Sequence, residues 1–140
     1  MIRAGALALA LLAPLTGPRP VLADPVRGER VFQHCYACHS VGTEEERLTG
    51  PSLRCVVGRR AGTLAGFEFS AAMLEAGARR GLVWTRETLE AFLVGPQRIV
   101  AGTTMWIPSL QAAQDRQDLI DYLERIGPCL PPAPPPITRP

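Results

Sequence analysis

The 140-residue sequence contains no lysine, so all 15 basic residues are arginine. With Arg3 and Arg19 set aside as part of the N-terminal segment, arginine balances the 13 acidic residues and the rest of the chain is formally neutral. Nucleic-acid binding requires a dense positive footprint, and this neutrality excludes it. The chain also lacks an apolar run of the ~20 residues that a membrane-crossing helix needs, because the longest, Ala4 to Ala13, is interrupted by Pro14. Period-two alternation is missing as well, and with it any clear strand. The length suits one domain and excludes a multidomain enzyme.

What is present divides the chain into three. Residues 1–23 carry Arg3, a short apolar stretch, a Pro14/Gly17/Pro18/Pro20 break and a small residue, Ala23, at the end. This is the layout of a secretory signal, so a periplasmic location is expected; an uncleaved membrane anchor is the alternative. Residues 24–128 form the expected domain. Residues 129–140 are a proline-rich tail that favours extended chain.

Four cysteines in an exported chain normally imply disulfides. Here Cys35-Tyr36-Ala37-Cys38-His39 has the attachment spacing of c-type haem, two thiols three apart followed at once by an imidazole. Zinc would need a second Cys/His pair, and a thioredoxin-like redox pair would need a βαβ setting. One covalent haem c on Cys35 and Cys38, with His39 as the proximal iron ligand, is therefore expected. The sixth iron position decides between electron transfer and ligand chemistry. Met105, in the loop Ala101-Gly102-Thr103-Thr104-Met105, Met73, in an apolar helical stretch, and His34, next to Cys35, are the side chains available for it. Met73 fits core packing better and His34 fits an exposed rim.

Helical periodicity gives the frame. Gly28, Val31, Phe32 and Cys35 share one face of a first helix, and Leu119, Tyr122, Leu123 and Ile126 share one face of a last helix that Gly127-Pro128 ends. Asp115 and Asp118 lie near the start of that last helix, where they favour its dipole. Thr85 caps a helix carrying Leu89, Phe92 and Leu93 that stops at Gly95-Pro96, and a shorter helix runs from Ser70 to near Gly77. The fold class is all-α, with long loops wrapped around a cofactor that supplies missing apolar bulk; the apoprotein is expected to fold poorly.

Gly28-Glu29-Arg30-Val31-Phe32, the haem motif, Gly50-Pro51-Ser52-Leu53, Gly58-Arg59, Gly66-Phe67, Trp84, Pro96, Gly102-Thr103, Met105, Leu119 and Tyr122 stand in one order that resembles the class I cytochromes c of the mitochondrial and bacterial short soluble type. The resemblance covers nearly all of the chain after residue 23. It implies a monohaem electron carrier, not an enzyme, with His39 and Met105 as axial ligands. It also implies that the Pro51 carbonyl accepts from His39, that Arg59 and Trp84 hold one haem propionate, and that Thr103 lies beside the other. The first and last helices would cross at Gly28, opposite a bulky partner such as Tyr122. The loop after Pro51 would come near the end of the last helix, which makes Cys55–Cys129 the expected disulfide.

Departures from the mitochondrial pattern are Phe69 and Phe92 at frequent tyrosine positions, Met73 at a common asparagine position, Trp106 directly after Met105, and a short insertion between Phe69 and Trp84. The exposed haem edge would be bordered by His34, Gln97, Arg98 and Thr104, of which only Arg98 is reliably charged. The expected partners are redox proteins without a strongly acidic docking face. A monomer without stable membrane insertion is expected. The alternatives are a cytochrome subunit or docking module of a periplasmic dehydrogenase, and a peroxidase-type or ligand-binding haem protein should Met105 not bind iron.

Overall fold

A computed structural model describes residues 22–42, 48–107, 110–126 and 129. Most of the expected signal, the Gly127-Pro128 stop and nearly all of the tail lie outside the described residues. Within them the fold is helical: α1 (Pro25–Phe32), α2 (Ala71–Ala78), α3 (Arg86–Val94), α4 (Pro96–Ile99) and α5 (Ala113–Arg125). The described residues hold no strand beyond one antiparallel bridge between Arg60 and Val83.

The first four helices start for local reasons, whereas α5 starts at Ala112 without a side-chain cap. Asp24 accepts from the Val26 amide at 2.9 Å and Pro25 supplies a helix-ready φ, so α1 begins at once. Ser70 caps α2 through the Met73 amide. Thr85 and Thr88 cap α3 reciprocally, each hydroxyl accepting from the other's backbone N–H. Gly95-Pro96 ends α3 as expected, but the chain then forms α4, a single turn absent from the sequence reading; proline at its first position costs no hydrogen bond there.

α1 and α5 cross in direct backbone contact. A Cβ on Gly28 would stand 2.0 Å from the Asp118 carbonyl oxygen and 2.7 Å from Tyr122 Cβ, so only glycine fits. Phe32, fully buried, stacks beside Tyr122 with ring centroids 5.6 Å apart. Asp118, expected from the sequence near the helix start, instead lies past the first turn of α5, which holds only Asp115, and its role is a different one. Its carboxylate, only 1% exposed, accepts from Arg27 Nε at 2.7 Å, the Asp24 amide at 2.6 Å and Gln114 at 2.9 Å, which bolts the start of α1 to α5. Those donors hold the Asp118 carboxyl below its ordinary pKa, the Arg27 bond contributing most.

One hydrophobic core joins the helices, drawing on Phe32, Val56, Met73, Trp84, Leu89, Phe92, Val100, Leu119, Ile120 and Leu123. Met73 is part of it. Cys55 and Cys129 come together with Cα atoms 5.4 Å apart, and Cys55 takes a left-handed φ of 52° to do so.

Candidate haem site

α1 does not extend to the cysteines. Past Phe32 the ladder tightens to three-residue steps, with Gln33, His34 and Cys35 amides donating to Arg30, Val31 and Phe32 carbonyls. Cys38 and His39 amides then both donate to the Cys35 carbonyl, which folds the motif into a compact turn. Cys35 is half-buried against the core, Cys38 is exposed, and both thiols are free. Burial, together with neighbouring Cys38, raises the Cys35 pKa. His34 is exposed.

His39 is buried, and its Nδ1 lies 2.7 Å from the Pro51 carbonyl oxygen. A carbonyl can only accept, so Nδ1 carries the hydrogen and Nε2 keeps its lone pair. Burial lowers the His39 pKa, against the opposing effect of the Pro51 bond, and so favours the neutral ring. The loop bearing Pro51 is fastened to the motif by the Gly50 amide on the Cys38 carbonyl at 2.8 Å and by the Leu53 amide on the Ser40 carbonyl at 2.8 Å. Gly50 is needed for this approach, since a Cβ there would meet His39 Cε1 at 2.5 Å.

Arg59 reaches back to the same loop, donating to the Arg54 and Ser52 carbonyls at 3.1 and 3.0 Å. Its backbone pairs with Trp84: the Trp84 amide donates to the Arg59 carbonyl, and the Gly58 amide to that of Trp84. Burial lowers the Arg59 pKa. Trp84 packs edge-on against Phe92, centroids 4.8 Å apart. Thr103 is buried, and its hydroxyl oxygen accepts from the Met105 amide at 3.2 Å, which leaves the hydroxyl hydrogen to donate elsewhere. Met105 is half-buried against the same core as Cys35, and Trp106 beside it is 88% exposed.

The polar contacts thus gather the predicted residues into two sets. Cys35, Cys38, His39, Pro51, Arg59 and Trp84 form one, and Thr103 with Met105 forms the other, the two meeting only through the hydrophobic core among the described residues. Gln97 belongs to the second set. Its amide grips the Met105 loop, whereas the sequence shows only a polar residue after Pro96, with no periodic signal of that contact.

The donor set suits a covalently attached haem: two free thiols on one turn, a neutral imidazole with a bare Nε2, and a thioether on a neighbouring loop. The class is a helical protein built to hold a c-type haem.

Known proteins agree. Cytochrome c 2.1 of Caenorhabditis briggsae is 43% identical over 102 residues, spanning 72% of this chain and 87% of its own. Cytochrome c2 of Rhodomicrobium vannielii is 42% identical over 71% of this chain and 77% of its own. The solved cytochrome c2 of Rhodospirillum centenum matches with a TM-score of 0.69 at 37% identity, covering 76% of this chain and all of that one. Cytochrome cH of Methylobacterium extorquens gives 0.66 at 35% identity, over 73% of this chain and 98% of that one. No protein-family profile matches the chain. The chain belongs to the class I cytochromes c, with their all-α fold and one covalently bound haem c.

Proposed function

We propose that this protein is a periplasmic, monomeric electron carrier, exported by residues 1–23, folded over residues 24–128, and without catalytic activity of its own. The haem, thioether-linked to Cys35 and Cys38, supplies an iron that alternates between Fe(III) and Fe(II). His39 Nε2 and the Met105 sulfur would hold that iron. The observation that carries this reading is the buried His39, held by its Nδ1 bond to Pro51 next to two free thiols.

The protein's part is to hold donors still. Pro51 fixes the ring plane and tautomer of His39 and raises its basicity. Arg59 and Trp84 would donate to one propionate; burial already works against the Arg59 charge, and a carboxylate beside it would offset that cost. Thr103 would give its remaining hydroxyl hydrogen to the other propionate. Ligands that stay bound in both oxidation states keep rearrangement small, and the thioether favours the reduced state. Phe92, buried against Trp84, carries no hydroxyl where related cytochromes often have tyrosine. Cys55 and Cys129 form a disulfide in the oxidising periplasm. Electrons pass at the haem edge, to and from redox proteins that need no strongly acidic face. Among the described residues no helix is long and apolar enough to cross a membrane.

The visible spectrum of the oxidised, haem-loaded protein tests this. A weak band near the red end, lost in Met105→Ala, is the expected result, along with no carbon monoxide binding by the reduced wild type. A wild type that lacks the band and takes up carbon monoxide would sink the carrier assignment in favour of ligand chemistry.

A further inference from the structure

Gln97 stands on α4 with its side-chain amide laid along the loop that leads to Met105. Its Nε2 donates to the Thr103 carbonyl at 2.7 Å, and its Oε1 accepts from the Gly102 amide at 3.0 Å. The amide orientation follows from these partners, because the flipped form would set oxygen against oxygen and N–H against N–H. Both halves of one side chain therefore clamp two successive backbone groups.

The clamped turn is where control is needed. Gly102 sits at φ +86°, a conformation glycine enters and leaves freely. On one side the loop is anchored: Val100 is fully buried, the Thr103 amide donates to its carbonyl at 3.0 Å, and Arg80 donates to the Ile99 carbonyl at 2.9 Å. On the other side the Met105 amide donates to the Thr103 hydroxyl. Gln97 bridges this left-handed glycine and the threonine whose hydroxyl accepts from the Met105 amide.

We propose that Gln97 is a positioning residue for Met105: it holds the Gly102–Thr103 turn in the conformation that presents the thioether to iron, and so sets how readily an outside ligand replaces it. This rests on the assignment of Met105 as axial ligand. Two variants separate the parts of the clamp. Gln97→Ala removes both bonds, whereas Gln97→Glu keeps the acceptor for Gly102 and points a carboxylate lone pair at the Thr103 carbonyl.

The experiment is an imidazole titration of the oxidised, haem-loaded full chain, following the red band in wild type, Gln97→Ala, Gln97→Glu and Met105→Ala. Both Gln97 variants are expected to bind imidazole roughly tenfold more tightly than wild type, given the usual net worth of one to two hydrogen bonds. Met105→Ala sets the upper limit. In the same holoproteins, amide exchange at Gly102 should quicken in Gln97→Ala, a readout independent of the iron. Gln97 variants that match wild type in imidazole affinity and Gly102 exchange, while Met105→Ala binds more tightly, would overturn the positioning role alone. A wild type without the red band, binding imidazole as Met105→Ala does, would overturn the ligand assignment and the Gln97 role with it.

Discussion

The crossing of α1 and α5 and the loop from Ile99 to Ile107 are both essential to the proposed carrier, yet they are held in opposite ways. At the crossing, backbone touches backbone at Gly28, a buried carboxylate takes donors from three residues, and Phe32 and Tyr122 seal the side. Protein atoms alone complete it. The loop is tethered by single side chains, Gln97 and Arg80, and its described end carries a half-buried Met105 beside a solvent-exposed Trp106. The contrast separates the part that makes the protein stable from the part that makes the iron a carrier, and perturbations of the two should report differently.

The crossing should break most severely at Gly28. Gly28→Ala forces a methyl group into the Asp118 carbonyl and should cost about 3 kcal/mol or more, read as a lower denaturation midpoint of the haem-loaded protein. A variant as stable as wild type would mean that the helices can part without loss. Next comes the Cys55–Cys129 link, which closes a long loop. Cys55→Ser should lose ~2–4 kcal/mol while leaving the red band in place. Two titratable thiols in the denatured, unreduced wild type would show that no disulfide forms.

Asp118→Asn is expected to cost about 2 kcal/mol at neutral pH, because bonds to a charged acceptor weaken. Its native carboxyl pKa lies below the unfolded value, so the stabilisation is whole above the unfolded value near ~4 and fades as pH falls through the native one. Wild type and variant should therefore converge in acid; a constant gap at all pH values would contradict the charge argument. Tyr122, with burial and then its bond to Tyr36 pushing its pKa up to about 12, should titrate well after free tyrosine in an alkaline ultraviolet titration. The smallest effect belongs to the loop: Trp106→Ala should shift stability by less than ~0.5 kcal/mol, since the ring is almost wholly in solvent. A larger loss would show that Trp106 has a packing role after all.

Much of this was legible in advance at positions where chemistry is local. Thr85, Ser70 and Gly95-Pro96 mark helix ends because caps and prolines act within a few residues. The haem motif is legible because attachment fixes its spacing, and the resemblance to known cytochromes supplied Pro51 as the His39 acceptor. The α1 boundary was less legible: period placed Cys35 on the first helix, but the ladder tightens after Phe32 so that the Cys35 carbonyl can take two amides. The α4 turn was hidden by a proline that reads equally well as a stop or a start.

The sequence by itself determined an all-helical layout with the caps of its middle helices, and the thiol pair and imidazole of a haem site, since each depends on residue type and short spacing. The crossing at Gly28 and the Cys55–Cys129 pairing were already implied by the resemblance to known cytochromes; only the tertiary structure decided that Asp118 bolts α1 to α5, and that Gln97 clamps the Met105 loop. Those contacts join groups whose partners are fixed by the path of the folded chain, and no local pattern records a hydrogen bond that exists only once that path has closed.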